Sequence, residues 1–133
     1  MTDKVKTNER ATASFDTSVP YWPHSFFNFV DFMDDKYKWS VETFGPGART
    51  EGVVNHIREE LDEVLASPED ISEWADIIIL AIDGARRMGF SADDIIEGLI
   101  AKHLKNKARK WPDWRQFTTG EAINHVRDQD SGC

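Results

Sequence analysis

The residues best suited to chemistry in this chain are acidic and paired. Glu60 and Glu63, within Glu59-Glu60-Leu61-Asp62-Glu63, stand three residues apart, and Glu73 and Asp76 repeat that spacing further along. On a helix, residues i and i+3 share a face, so each pair presents two carboxylates side by side. Ile57 and Val64 flank the first pair, and Ile77 and Leu80 extend the second. Both pairs therefore sit at the edge of an apolar seam. Carboxylates gathered in a low-dielectric setting repel one another and need a counter-charge. Oxygen-only ligands suit hard cations such as Mg2+ or Mn2+. Spacing alone leaves two readings open: a metal centre, or two solvated acidic helix faces.

Lys102, Asn106 and Arg109 fall at i, i+4 and i+7 on one later helix face. A point charge, a neutral donor and a planar fork make a suitable set for a phosphate chain. Lys105, Lys107 and Lys110 share the stretch, so a basic solvent face is the alternative. Asp83, seven residues after Asp76 on the same face, is either a further acidic contact or a polar group at a subunit seam. Trp39 and Phe44 can stack on a base or belong to the core. Arg49, just after Gly45-Pro46-Gly47, can reach a phosphate or simply start a helix in solvent. His56, four residues before Glu60, reads as a helix-surface residue, while His24, His103 and His125 carry no usable pattern.

These groups need helices to position them. Phe26, Phe29, Val30, Met33, Tyr37 and Val41 recur at three- and four-residue spacing, which predicts a first amphipathic helix ending near Phe44. A second runs from about Thr50 to Ala66. Ser67 is expected to cap a third, with Pro68 in its first position and Asp70 at N3; it ends at Met88 and Gly89. Ser91, with Asp94 three residues on, caps a fourth that stops before Trp111-Pro112, and a short fifth is expected over about Gly120 to Val126. No segment reads as a strand. The expected fold is all-α, an antiparallel four-helix-type bundle with a short extra C-terminal helix. Its domain spans 21–128, after a flexible arm over 1–20 and before a tail over 129–133. The short connection at Ser67-Pro68 makes the second and third helices antiparallel neighbours, so the acidic pairs can converge. Ile77 to Ile82 is apolar all the way round, which fits a central core helix or, as the stronger reading, burial against a second subunit.

The 133 residues suit one domain with a real core. The net charge of −8 argues against DNA or RNA as a partner, since polymer binding needs a broad positive surface. It leaves room for a small phosphorylated ligand bound through divalent cations. The one cysteine, Cys133, can form no intrachain disulfide. The first 25 residues hold no apolar signal core and no run is long enough to span a membrane, so a cytoplasmic location is expected.

Glu59 to Glu63 (EELDE) followed by Glu73 to Asp76 (EWAD) resembles the E-E-x-x-E … E-x-x-D pattern of the MazG-like all-α nucleotide pyrophosphohydrolases. Lys102, Asn106 and Arg109, in KHLKNKARKWPDW, resemble that family's K-x-x-x-N-x-x-R segment. The upstream stretch WSVETFGPGARTEGVVNHIREELDEV is similar to the dATP/dGTP pyrophosphohydrolase branch, and the likeness covers about residues 26 to 127. The resemblance implies cleavage of a nucleoside triphosphate between the α and β phosphates. It implies Glu60, Glu63, Glu73 and Asp76 as ligands of Mg2+ or Mn2+, and Lys102, Asn106 and Arg109 on the phosphates. Glu59 or Glu60 would serve as general base and Trp39 would meet the base. Purine deoxynucleotides (dGTP, dATP) are the implied substrates. A pyrimidine or damaged nucleotide and a non-catalytic helical interaction protein are the alternatives. A homodimer or homotetramer is implied as well. A member of this branch occurs in phages that replace adenine with diaminopurine, which sets a phage source, and so a host cytoplasm, beside a cellular one.

Overall fold

The computed structural model describes residues 27–127. The expected arm over 1–20, the Tyr21-Trp22-Pro23 cluster, Phe26 and the tail over 129–133 lie outside them. Four α-helices follow in order: α1 Phe29–Phe44, α2 Thr50–Ala66, α3 Ile71–Arg87 and α4 Ala92–Ala108. One 3-10 turn, Trp114–Gln116, comes after them, and the described residues contain no strand. The all-α expectation and the bounds of α2 hold as read from the sequence.

The helix ends show why the chain turns where it does. Asn28 accepts a hydrogen bond from the Asp31 amide at 3.1 Å and starts α1. Ser91 and Asp94 form the full reciprocal capping box expected at α4, a device that contributes about 1 kcal/mol. At the end of α3, Gly89 has φ +98°, its N–H donates to Arg86 O, and Phe90 N–H donates to Ala85 O. This paired closure needs a left-handed residue, and glycine fills that place without a steric penalty.

Two expectations are corrected. Asp70, not Ser67, caps α3: its Oδ1 accepts from Ser72 N at 2.9 Å and Ser72 Oγ at 2.7 Å. Ser67 is already committed to closing α2, its N–H donating to Glu63 O, and Asp70 N–H donates back to Ser67 O. Pro68 therefore sits in the turn, where Trp74 Nε1 donates to its carbonyl. The fifth helix is also absent. Glu121 folds back so that Thr118 N–H donates to its carboxylate, and Val126 N–H donates to Lys110 O. The segment runs back so that the Val126 amide meets the chain just beyond the end of α4.

α2 and α3 form the most extensive helix pair. They lie close at Gly84, where an added Cβ would stand 3.2 Å from Val53 Cγ1. Val53 and Val64 are the buried residues of α2. Met33, Ile82 and Ala92 make the small core joining α1, α3 and α4, with Phe29, Val30, Phe32, Ile95 and Ile96 around it. Two polar links bind α3 to α1. Arg86 Nη1 donates to Asp34 Oδ1 at 2.7 Å while its guanidinium covers the Tyr37 ring. Arg87, its side chain 1% exposed, fills the second. It donates to Asp83 Oδ2, Gly45 O, Gly47 O, Ser40 O and Ser40 Oγ, which uses all five N–H groups of a guanidinium.

The all-round apolar segment of α3 is not covered within one chain, since Ile78 is 58% exposed. No helix is long and apolar enough to cross a membrane among the described residues.

Candidate functional site

The α2–α3 pair brings three of the expected acids together. One carboxylate oxygen from each of Glu60, Glu73 and Asp76 lies within 4.8 Å of the others. Adjacent ligands held 2.0–2.1 Å from an octahedral Mg2+ ion stand about 3 Å apart, so side-chain rotation would draw this set together around one hard cation. The donor set, all oxygen and all anionic, fits Mg2+ or Mn2+. Glu63 lies outside the trio, yet its charge reaches it. Partial burial, then the charges of Glu63, Asp70, Asp76 and Glu60, push the Glu73 carboxyl above its usual range. That crowding is what a bound cation would relieve. Glu59 is exposed and is not among the three acids brought together. His56 Nε2 stands 3.2 Å from Glu60 Oε1, one turn earlier on α2.

Glu60 and Asp76 also line a cleft of about 240 Å³. Its floor is apolar, from Val53, Ile79 and Leu80. Trp39 and Phe44 of α1 form one wall, packed edge to face with ring centroids 5.6 Å apart. Both are about half exposed, at 55% and 53%, so they are available to a ligand rather than consumed as core. Arg49 lies at the rim as well.

Away from the trio the cleft ends in charges the sequence did not disclose as a group: Lys36, Asp83 and Arg87, with Ser40 beneath them. Asp83 Oδ2 accepts from Arg87 Nε at 2.8 Å, while Lys36 Nζ lies 4.0 Å from Oδ1. Burial raises the Asp83 carboxyl, but hydrogen bonds from Ser40 and Arg87 and the charges of Lys36 and Arg87 outweigh it, and the group is held below its usual range. Burial pulls the Lys36 ammonium below its ordinary value, with Asp83 opposing and Arg87 adding to the shift. Asp83, which the sequence offers as an acidic contact or a seam residue, is a buried polar group of the cleft. Lys36 and Arg87 were missed. A signal existed in α1, where Lys36 falls three residues after the buried Met33 and so on the inward face.

Lys102, Asn106 and Arg109 do not line this cleft. Arg109 Nη1 donates to Asn106 Oδ1 at 3.0 Å, and Trp111 Nε1 to Asn106 O at 2.7 Å. The face is positive: burial and then the charges of Arg109, Arg127, Lys102 and Lys105 lower the basicity of His125.

A family model described as dATP/dGTP pyrophosphohydrolase matches residues 32–131. The chain is 38% identical over 92 residues to the Eaa protein of Salmonella phage P22, a match covering 69% of this chain and 28% of that protein. It thus spans little more than a quarter of that relative. It is 36% identical over 73 residues to the dATP/dGTP diphosphohydrolase of cyanophage S-2L, covering 53% of this chain and 67% of that protein. A solved structure of the cyanophage S-2L MazG-like pyrophosphohydrolase, bound to dGDP and three catalytic Mn2+ ions per active site, superposes with a TM-score of 0.60. That match has 29% identity and covers 76% of this chain and 99% of the other.

Proposed function

The chain belongs to the dATP/dGTP pyrophosphohydrolase family, and from that membership we propose that it hydrolyses purine deoxynucleoside triphosphates to a monophosphate and pyrophosphate. The observation that carries this reading is the trio of Glu60, Glu73 and Asp76 at one end of a cleft walled by Trp39 and Phe44. The trio, with Glu63 on the same helix as Glu60, would hold Mg2+ or Mn2+. When bound, such a cation neutralises the phosphate chain, polarises the α phosphorus and favours deprotonation of the attacking water. Glu59 or Glu60 takes the proton from that water. The water oxygen bonds to the α phosphorus, the bond from that phosphorus to the α–β bridging oxygen breaks, and pyrophosphate leaves with the bridging oxygen. Trp39 and Phe44 receive the base and keep water from that part of the cleft.

Lys102, Asn106 and Arg109 serve the phosphate chain from a second copy of the protein. Two observations support this. These residues stand off the cleft of their own chain, and Leu99, Ile100 and Leu104 on the same helix are each more than half exposed. Together with Ile78 on α3 they offer apolar faces of the kind that obligate subunit contacts cover. The catalytic unit on this reading is residues 21–128, with 1–20 an arm and 129–133 a tail. Sedimentation is expected to give a dimer or tetramer, and Leu104→Asp to shift it toward monomer with loss of turnover. A fully active monomer would remove the shared-site reading.

The deciding assay incubates the protein with each of dGTP, dATP, dCTP and dTTP and follows pyrophosphate and monophosphate. Purine nucleotides are expected to give both products. EDTA is expected to stop release, and added Mn2+ or Mg2+ to restore it. Release of single phosphate would refute the α–β cleavage site, and turnover in EDTA would refute the metal.

A further inference from the structure

Of the described residues that line the cleft, one is a histidine, and it stands beside a carboxylate of the acidic trio. His56 and Glu60 lie four residues apart on α2, so they share a helix face. Nε2 of the first is 3.2 Å from Oε1 of the second. That separation is close to the spacing of about 3 Å between adjacent ligands on one octahedral cation. Side chains at i and i+4 on a helix are also a recurring way to hold a metal, because the helix directs both to one point. A neutral imidazole with its proton on Nδ1 leaves a lone pair on Nε2 for that purpose. The His56 side chain is 51% exposed, against 17% for Glu60, so the ring can turn toward an ion without opening the core.

His56 is not part of the trio itself, since Glu60, Glu73 and Asp76 gather within 4.8 Å without it. An ion between His56 and Glu60 is thus a neighbour of the ion in the trio, with Glu60 shared by the two. Charge calls for such a neighbour. Glu60, Glu63, Glu73 and Asp76 are four acids on two adjoining helices, and one divalent ion offsets only half of their charge. A neutral nitrogen gives the second ion a ligand without adding another anion. We infer that His56 is a nitrogen ligand of a second divalent cation, shared with Glu60, and that it turns this position from Mg2+ toward Mn2+. The inference rests on the metal-dependent reading above and adds the residue that chooses among cations. Mg2+ takes oxygen ligands and keeps much of its water. Imidazole nitrogen suits the transition ions better, and Mn2+ is the member of that series nearest to Mg2+ in its taste for oxygen. The other positions on this ion fall to water and to phosphate oxygens, as is usual where a cation serves a nucleotide.

The test follows bound Mn2+ by electron spin echo spectroscopy, with inorganic pyrophosphate present to supply phosphate oxygens and no nitrogen. The wild type is expected to show the hyperfine coupling of a directly bound nitrogen. His56→Gln keeps a donor for Glu60 and is expected to lose that coupling. By calorimetry, its ratio of Mn2+ to Mg2+ affinity is expected to fall about tenfold or more. His56→Glu puts an oxygen ligand in the same place. It is expected to hold as many ions as the wild type, with no nitrogen coupling and no preference for Mn2+. A wild type that binds Mn2+ without nitrogen coupling would overturn the inference whatever the variants do, and would leave His56 as a hydrogen-bond donor to Glu60. Coupling that survives in His56→Gln would place the nitrogen elsewhere and overturn it too. An unchanged affinity ratio in His56→Gln would end the role in choosing the cation. Pyrophosphate release by a wild type that lacks the coupling would remove this inference alone. A wild type that binds no Mn2+ would remove the metal reading and this inference with it.

Discussion

Asp76→Asn is expected to cut pyrophosphate release about a thousandfold or more, with helix content unchanged. A cation that stabilises charge at the reacting phosphate contributes several kcal/mol, and each 1.36 kcal/mol is about tenfold in rate. Of the three clustered acids, Asp76 is the exposed one, whereas Glu60 and Glu73 are partly buried, so its amide takes the same space at little packing loss. The same substitution should act on stability in the opposite sense. Glu73 already carries the repulsion of Glu63, Asp70, Asp76 and Glu60, and neutralising one of them relieves it. The metal-free variant is therefore expected to melt no lower than the metal-free wild type, and to bind Mn2+ more weakly by calorimetry. Retained turnover would take Asp76 out of the centre, whatever the melting temperature did.

Arg87→Met is expected to be the most damaging single change to the fold. It strands a buried carboxylate at Asp83 and removes the donor from Gly45 O, Gly47 O and both acceptors of Ser40. Breaking a buried pair by deleting one partner costs about 3–5 kcal/mol. For a domain of this size each kcal/mol is about 4–8 °C in Tm, so a fall of at least about 12 °C is expected in thermal unfolding. Adding Asp83→Asn, which takes away the stranded charge, should return part of the loss. A fall of only a degree or two in the single variant would mean that the five hydrogen bonds do not hold α1 in place.

The acidic centre was legible because both halves of it are local. Glu60 with Glu63 and Glu73 with Asp76 are helical neighbours, and the turn at Ser67–Asp70 joins their helices without intervening structure. The caps at Ser91 and Gly89 were legible for the same reason, each being a device of a few adjacent residues. Ser67 misled because it satisfies a start signal and a stop signal at once, and the end of α2 took it. The stretch after Gly120 misled because helical spacing over seven residues cannot compete with the amide that Lys110 O accepts from Val126. The charged end of the cleft was not legible. Lys36, Ser40 and Gly45 meet Asp83 and Arg87 only through tertiary packing, and no spacing rule links residues so far apart. Trp39 and Phe44, read as core or as stacking groups, turn out to be half exposed on the cleft wall.

The two ends of the cleft differ in how much chain must be organised to make them. Glu60 and Asp76 are sixteen positions apart (76 minus 60) and meet across one hairpin. Arg87 and Ser40 are separated by 47. Closing the longer loop costs more entropy, though only slowly more with length. The α2–α3 hairpin alone already brings the carboxylates together, while the Lys36–Asp83 end exists only after α1 has docked. The end that would hold a cation is thus built within one hairpin, whereas the charged end of the cleft depends on the docking of a third helix.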